Sequence, residues 1–230
     1  MLTLEKMLVA LDDWTLRADF TVPTGSRVAV IGPSGAGKST LFSAIAGFLP
    51  VASGRVMWNA ADLADAPPAS RPVSMIFQDN NLFPHLTAAQ NVGLGLRPDL
   101  RLDADQHKAV DKALARVGLA GFGARKPGRL SGGQAARVAL ARALLRDRPL
   151  MLLDEPFGAL GPALRSEMLD LVGDLADETG ATLMIVSHEP DDARTLADLV
   201  VLVDEGIAHP PVPTDEIFAS PPKALRDYLG

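Results

Sequence analysis

Three stretches of this 230-residue chain gather residue types that handle phosphate. The first is Gly32-Pro33-Ser34-Gly35-Ala36-Gly37-Lys38-Ser39, followed by Thr40, which has the form G-x-x-x-x-G-K-[ST]. Glycines let a backbone wrap tightly enough for successive N–H groups to face inward on phosphate oxygens. A helix opening at the loop adds the positive end of its dipole, about half an elementary charge. Lys38 supplies a mobile full charge for β- and γ-phosphates, and the Ser39 hydroxyl supplies a ligand for Mg2+. A chance glycine-rich turn would match this form in on the order of one chain in a hundred. Here the loop also lies between a buried strand and a helix, the context that the chemistry requires.

The second stretch is Leu150-Met151-Leu152-Leu153-Asp154-Glu155, an apolar strand ending in two acids. In an open α/β sheet, ligands collect at the carboxyl ends of strands. Asp154 is then placed toward a metal beside the phosphate loop, and Glu155 faces an attacking water. Phosphoryl transfer asks for charge neutralisation and an oriented nucleophile, and the two acids divide those tasks. The third stretch, Leu130-Ser131-Gly132-Gly133-Gln134, precedes a helix and is a second potential anion cradle. Alone it would read as a serine cap on a flexible turn. Its place between the phosphate loop and the acid pair argues for more.

The elements that must position these residues alternate along the chain. TLRADFTV alternates as a half-buried strand does, and RVAVI (Arg27 to Ile31) is a β-branched run suited to a strand covered on both faces. A turn at Thr24-Gly25 separates them. A helix over Ser39–Phe48 follows the loop, then strands at GRVMWN near residue 54 and VSMIF near residue 73. Helical pieces are expected at Thr87–Leu96, Asp103–Val117 and Ala135–Arg146, the strand Leu150–Asp154 next, then a helix Pro162–Asp177 with proline at its first position. Leu164, Met168, Leu171 and Leu175 share one face of that helix. A strand Thr182–Ser187, a short helix, a strand Leu199–Val203 and a frayed tail close the chain. Strands alternating with helices give an α/β doubly wound sheet. We expect a single domain over residues 1–230, with a helical sub-domain at roughly 79–135.

Bulk properties narrow the function. The formal net charge of -6 and pI near 5.2 disfavour nucleic acid as a partner. With no cysteine, disulfides and thiolate metal sites are impossible. The N-terminal stretch MLTLEKMLVALDDW is interrupted by charge and lacks a secretory layout. No apolar run is long enough for a membrane span, so service to a membrane requires a partner.

In the order phosphate loop, LSGGQ, acid-ended strand, the chain resembles the ABC ATPases. That resemblance implies the P-loop NTPase (RecA-like) fold with an N-terminal antiparallel β portion, and ATP and Mg2+ as ligands. It makes Gln78, in Phe77-Gln78-Asp79, a residue that touches the metal and faces a permease. It makes His188, in Val186-Ser187-His188, a contact to the γ-phosphate and, with Glu155, a catalytic residue. It also implies a head-to-tail homodimer in which Ser131, Gly132, Gly133 and Gln134 of one subunit close over the nucleotide of the other. The segment Arg71–Thr87, with Gly93-Leu94-Gly95-Leu96 after it, is similar to the ATP-binding subunits of bacterial thiamine importers. This implies a permease partner, a periplasmic solute-binding protein, and a place on the cytoplasmic face of the inner membrane. Leu82 and Phe83 are the expected apolar anchors for a permease helix.

Departures exist. The family usually has aspartate where Gly161 follows Ala159-Leu160, and basic and polar residues where Ala135-Ala136 follow the signature. Its usual adenine-stacking aromatic is missing near Val9 to Asp13. Trp14 is the nearest, and a tryptophan at a strand edge is more often core. Importers of other small solutes and non-transport ABC ATPases are the alternatives. A repair type would carry a long coiled-coil insert, a GTPase an N-K-x-D motif, and neither is found. A regulatory module that binds nucleotide without hydrolysis is disfavoured by Glu155 and His188.

Overall fold

The computed structural model describes residues 1–229, the last two only by their place in a helix. The chain opens on an antiparallel pair, β1 (Leu2–Leu11) and β2 (Trp14–Val22), joined by a two-residue turn. In β2, Leu16, Ala18, Phe20 and Val22 alternate inward, as a sheet with one covered face requires. In β1 the pairing register slips between Leu4 and Met7, and Lys6 adopts φ 45°. This bulge lets Leu2, Leu4, Met7 and Val9 reach the same core although their spacing breaks step.

β3 (Arg27–Ile31) leads through the phosphate loop into α1 (Lys38–Ala46). β4 (Ser53–Trp58) pairs antiparallel with β1 and with the short edge strand β5 (Ala61–Asp62). β6 (Val73–Ile76) is followed by α2 (Ala88–Gly93), α3 (Ala104–Arg116), a 3-10 turn at Pro127–Arg129 and α4 (Gly132–Leu145). Then come β7 (Leu150–Asp154), α5 (Pro162–Thr179), β8 (Thr182–Val186), α6 (Pro190–Leu196) and β9 (Leu199–Asp204).

The expected frayed tail is instead folded. β10 (Ile207–Ala208), β11 (Val212–Pro213), α7 (Thr214–Ala219) and α8 (Lys223–Leu229) complete the chain. Ile217 and Leu225 are buried in the main core, and β11 pairs with β9. Apolar residues spaced too sparsely for a periodic signal hold this segment down.

The strands form one sheet in the order β5-β4-β1-β2-β10-β9-β3-β8-β7-β6. β9, β3, β8, β7 and β6 are mutually parallel, and β10 joins them to the antiparallel portion. Helices cover both faces of the parallel part, which explains its uninterrupted apolar strands. Ala29, Ile31, Met151, Leu153, Leu183 and Ile185 face a core shared with α2 to α6. Their alternates Val28, Val30, Leu150, Leu152, Met184 and Val186 face α1 and the antiparallel strands. α2, α3 and α4 pack on one another, and α4 lies against β6. The parallel strands point the same way, so the residues after β3, β6, β7 and β8 emerge on one edge of the sheet.

Candidate functional site

The phosphate loop leaves β3 through Gly32, whose φ is 146°. A Cβ at this position would lie 2.0 Å from the carbonyl oxygen of Val203, so only glycine passes. At its far end Gly37 has φ 109° and caps α1 without any side-chain hydrogen bond. α2, α3 and α4, by contrast, each start with a complete capping box, at Thr87/Gln90, Asp103/Gln106 and Ser131/Gln134. The first N–H groups of α1, at Lys38, Ser39 and Thr40, therefore remain donors aimed out of the helix end. Trp14 packs its indole against Gly37, close enough that a Cβ there would stand 2.4 Å from the ring. Trp14 is half-buried, packed against the second core.

Lys38 is 5% exposed, and its Nζ donates to the carbonyl oxygens of Gly32 (2.7 Å) and Pro33 (2.9 Å). Burial pushes its pKa down, while Glu155 and Asp154 oppose that shift. Ser39 donates its hydroxyl to Asp154 Oδ1 at 3.1 Å. Burial raises the Asp154 carboxyl, and the Ser39 hydrogen bond works against the rise. A hydroxyl beside a carboxylate at the mouth of a phosphate cradle is the sparse oxygen set that suits Mg2+, an ion that draws its remaining ligands from water and phosphate. The donor chemistry therefore fits the metal.

Glu155 follows β7 in the left-handed region, φ 48°, a conformation costing about 1–2 kcal/mol for a residue with a side chain. Such strain, where it occurs, clusters at functional positions. Its N–H donates to Val186 O at 3.2 Å, tying it to the end of β8. His188 Nε2 and Glu155 Oε1 lie 2.5 Å apart. A cavity of about 210 Å3 is lined by Gln78, Glu155, His188, Arg165 and Asp192. Gln78, after β6, is thus brought to the carboxylate and the imidazole.

Ser131 to Gln134 stand apart. The expected helix Ala135–Arg146 begins earlier, at Gly132, so the two glycines are its first turn and Ser131 is its cap. Ser131 and Gly132 are exposed, and Gly133 is buried with Leu164 beside it. Among the described residues, no hydrogen bond or ion pair joins these four to the phosphate loop; Ser131 and Gln134 bond to each other. Sequence reasoning missed Arg165 and Asp192, which line the same cavity as His188. Arg165 comes from a different helix, so no local spacing reveals it. A larger cavity, about 680 Å3, lies by β9, α7 and α8 and is lined by none of the motif residues.

A sequence-family profile described as ABC transporter matches residues 16–158. The chain belongs to the ABC transporter family. Among ABC transporter chains it is 59% identical to the thiamine import ATP-binding protein ThiQ of Cereibacter sphaeroides, over all of both chains. It is 54% identical to ThiQ of a Ruegeria species, again over the whole of both. ThiQ of Brucella suis is 53% identical over 92% of this chain and 88% of that one. Among solved ABC structures, the cassette MJ0796, described as dimeric, post-hydrolysis and bound to ADP and Pi, gives a TM-score of 0.82 at 28% identity, covering 93% of this chain and 99% of that one. CbiO1 of Clostridium perfringens, described as part of the ABC transporter complex cbiONQ, gives 0.85 at 30% identity, covering 95% of this chain and 90% of that one. The α/β fold is thus that of the ABC ATPases.

Proposed function

We propose that this chain is the ATP-hydrolysing subunit of an importer for thiamine and its phosphates. One observation carries the reading: Lys38, Ser39, Asp154, Glu155 and His188 converge on one strand-end edge. Full-length likeness to proteins named for thiamine import points to the cargo. Gly32 to Thr40 hold the phosphates with backbone N–H groups and the Lys38 charge. Glu155 orients the attacking water, and His188 meets the γ-phosphate. Ser39, Asp154 and Gln78 are the residues that would hold Mg2+, which supplies charge stabilisation on the transferred phosphoryl group.

In this reading two chains pair head to tail. Ser131, Gly132, Gly133 and Gln134 of one then close over the nucleotide of the other. The exposure of Ser131 and Gly132 supports this, as does the dimeric state reported for MJ0796. Among the described residues no helix is long and apolar enough to cross a membrane. In this reading, which the likeness to thiamine import ATP-binding proteins supports, a permease holds the pair at the cytoplasmic face of the inner membrane and a periplasmic binding protein delivers cargo. A groove of about 540 Å3 lined by Phe77, Asn81, Leu82, Phe83, Leu94 and Arg142 suits a permease helix, with Phe83 47% exposed and Leu82 packed on the core.

The test is uptake of labelled thiamine by cells with this gene deleted and then restored. Loss and recovery of uptake are expected. Unchanged thiamine uptake, with loss of another solute's uptake, would overturn the cargo and leave the ATPase reading standing.

A further inference from the structure

His188 faces a difficulty of aim. Its side chain is 42% exposed, so packing alone does not fix its orientation. Its neighbours on both sides are nevertheless tied to one hydroxyl. Ser187 Oγ donates to Asp192 Oδ2 at 2.5 Å and accepts from Glu189 N–H at 3.0 Å. The residue before His188 and the residue after it therefore meet at a single oxygen atom. Ser187 N–H reaches Val30 O at 3.4 Å, which ties the same loop to the strand that carries the phosphate loop.

Asp192 is unusual for a carboxylate. It is 7% exposed, and burial pushes its pKa up. A buried charge is retained at a cost unless it is paired and hydrogen-bonded. Arg165, from α5, supplies the pairing charge, with Nε 3.4 Å from Asp192 Oδ2 and Nη1 3.4 Å from Glu189 Oε1. One guanidinium thus spans the two acids that flank the Ser187–Glu189 turn, and it comes from the helix that follows Gly161. α5, α6 and the His188 loop are fastened at this point. Both Arg165 and Asp192 line the cavity that also holds Glu155, Gln78 and His188.

We infer that Asp192, held by Arg165, is a positioning residue for hydrolysis: through the Ser187 hydroxyl it fixes the loop that aims His188 at the reacting phosphate. The inference rests on the proposed role of His188. Neither Asp192 nor Ser187 touches substrate in this scheme. Their effect passes entirely through the imidazole, which gives the idea a sharp consequence. Misplacement of a catalytic group by about 1 Å can cost on the order of a hundredfold in rate, whereas nucleotide binding, resting on the loop after β3, does not pass through this clamp.

The experiment measures kcat, KM for Mg-ATP, nucleotide affinity and Tm for the full chain and for Asp192→Asn, Ser187→Ala, Ser187→Thr and His188→Ala, with Asp192→Asn/His188→Ala as the double variant. Asp192→Asn and Ser187→Ala are expected to lower kcat about tenfold or more with nucleotide affinity held within about twofold, and Ser187→Thr, which keeps the hydroxyl, to restore much of the rate. In the His188→Ala background, Asp192→Asn should cause no further loss. A further drop in the double variant, or a loss of nucleotide affinity in step with kcat, would overturn the positioning role. If Asp192→Asn fails to fold, the Ser187→Ala and Ser187→Thr pair decides, since equal rates for the two would also overturn it. Full activity of His188→Ala would instead refute the role of His188 itself. His188→Ala inactive with Asp192→Asn and Ser187→Ala unaffected would refute the clamp alone.

Discussion

Gly161 is the N-cap of α5, with φ -67° and ψ 159°, and it makes no side-chain cap. A Cβ built there meets nothing within 4 Å, and the first turn of α5 holds no acidic residue. The backbone already has the extended geometry that a capping aspartate adopts. Gly161→Asp should therefore stabilise the chain. Restricting the unfolded backbone contributes about 0.4–1 kcal/mol. Aspartate caps better than glycine by only a few tenths, and its charge at the helix N-terminus adds about 0.3–1 kcal/mol. The capping and charge effects overlap, so the expected gain is about 1–1.5 kcal/mol. For a chain of this size, each kcal/mol moves Tm by about 2–4 °C, giving a rise of roughly 2–6 °C in thermal unfolding at low salt. Gly161→Asn separates the cap from the charge, and Gly161→Ala, which restricts the unfolded backbone but adds neither capping oxygen nor charge, should gain less than Gly161→Asp. A Tm for Gly161→Asp at or below that of the parent would refute the argument. ATPase turnover of the same variant answers a second question. A change in rate or cooperativity would mean that the absent acid matters to coupling between sites, and unchanged kinetics would leave Gly161 as a turn residue.

Three further perturbations follow from the same geometry. Glu155→Gln removes the carboxylate proposed to orient the attacking water while leaving the phosphate loop intact; hydrolysis should fall by on the order of 10²–10⁴, with ATP still bound and a dimer on gel filtration in Mg-ATP. A monomer under those conditions would count against the paired arrangement. Gly35→Ala and Gly37→Ala should differ: both carry the left-handed cost of about 1–2 kcal/mol, but only at Gly37 does the new methyl meet Trp14, adding about 1–3 kcal/mol of overpacking. Thermal unfolding should rank Gly37→Ala the less stable, and the reverse order would contradict the packing described. Arg142 donates to Asn80 O at 2.9 Å and Asn81 O at 2.8 Å, holding two residues whose φ values are 56° and 45°. Arg142→Ala should cost about 1–3 kcal/mol in unsatisfied carbonyls and speed hydrogen exchange in the segment after Gln78; unaltered exchange there would refute the tether.

Where one residue type serves one purpose, the sequence is easily read. β7 is Leu150–Asp154 as its apolar run predicts, because both its faces are covered and no alternation has to be recognised. α3 runs between the residues marked by Asp103 and Val117, since aspartate and Gln106 form the box that their spacing suggests. β1 is harder to see. The bulge at Glu5-Lys6 shifts the inward positions by one, so two short alternations out of phase look like an interrupted apolar stretch. α4 begins three residues before the expected start because glycines with poor helix propensity are carried by Ser131 and Gln134. At the site, Lys38, Ser39, Asp154, Glu155, Gln78 and His188 can be named from motif order. The Arg165–Asp192–Ser187 clamp cannot, because Arg165 lies on a different helix and meets the other two only through tertiary packing.

The closeness of Trp14 to Gly37 makes the chain its own optical probe. The protein has only two tryptophans. Trp58 is 8% exposed in the antiparallel portion, while the Trp14 ring rests directly against the last glycine of the phosphate loop. Emission from Trp14 is therefore expected to sense how that glycine is seated, and a Trp58→Phe background leaves a single indole whose spectrum should change on adding Mg-ATP, without any attached dye.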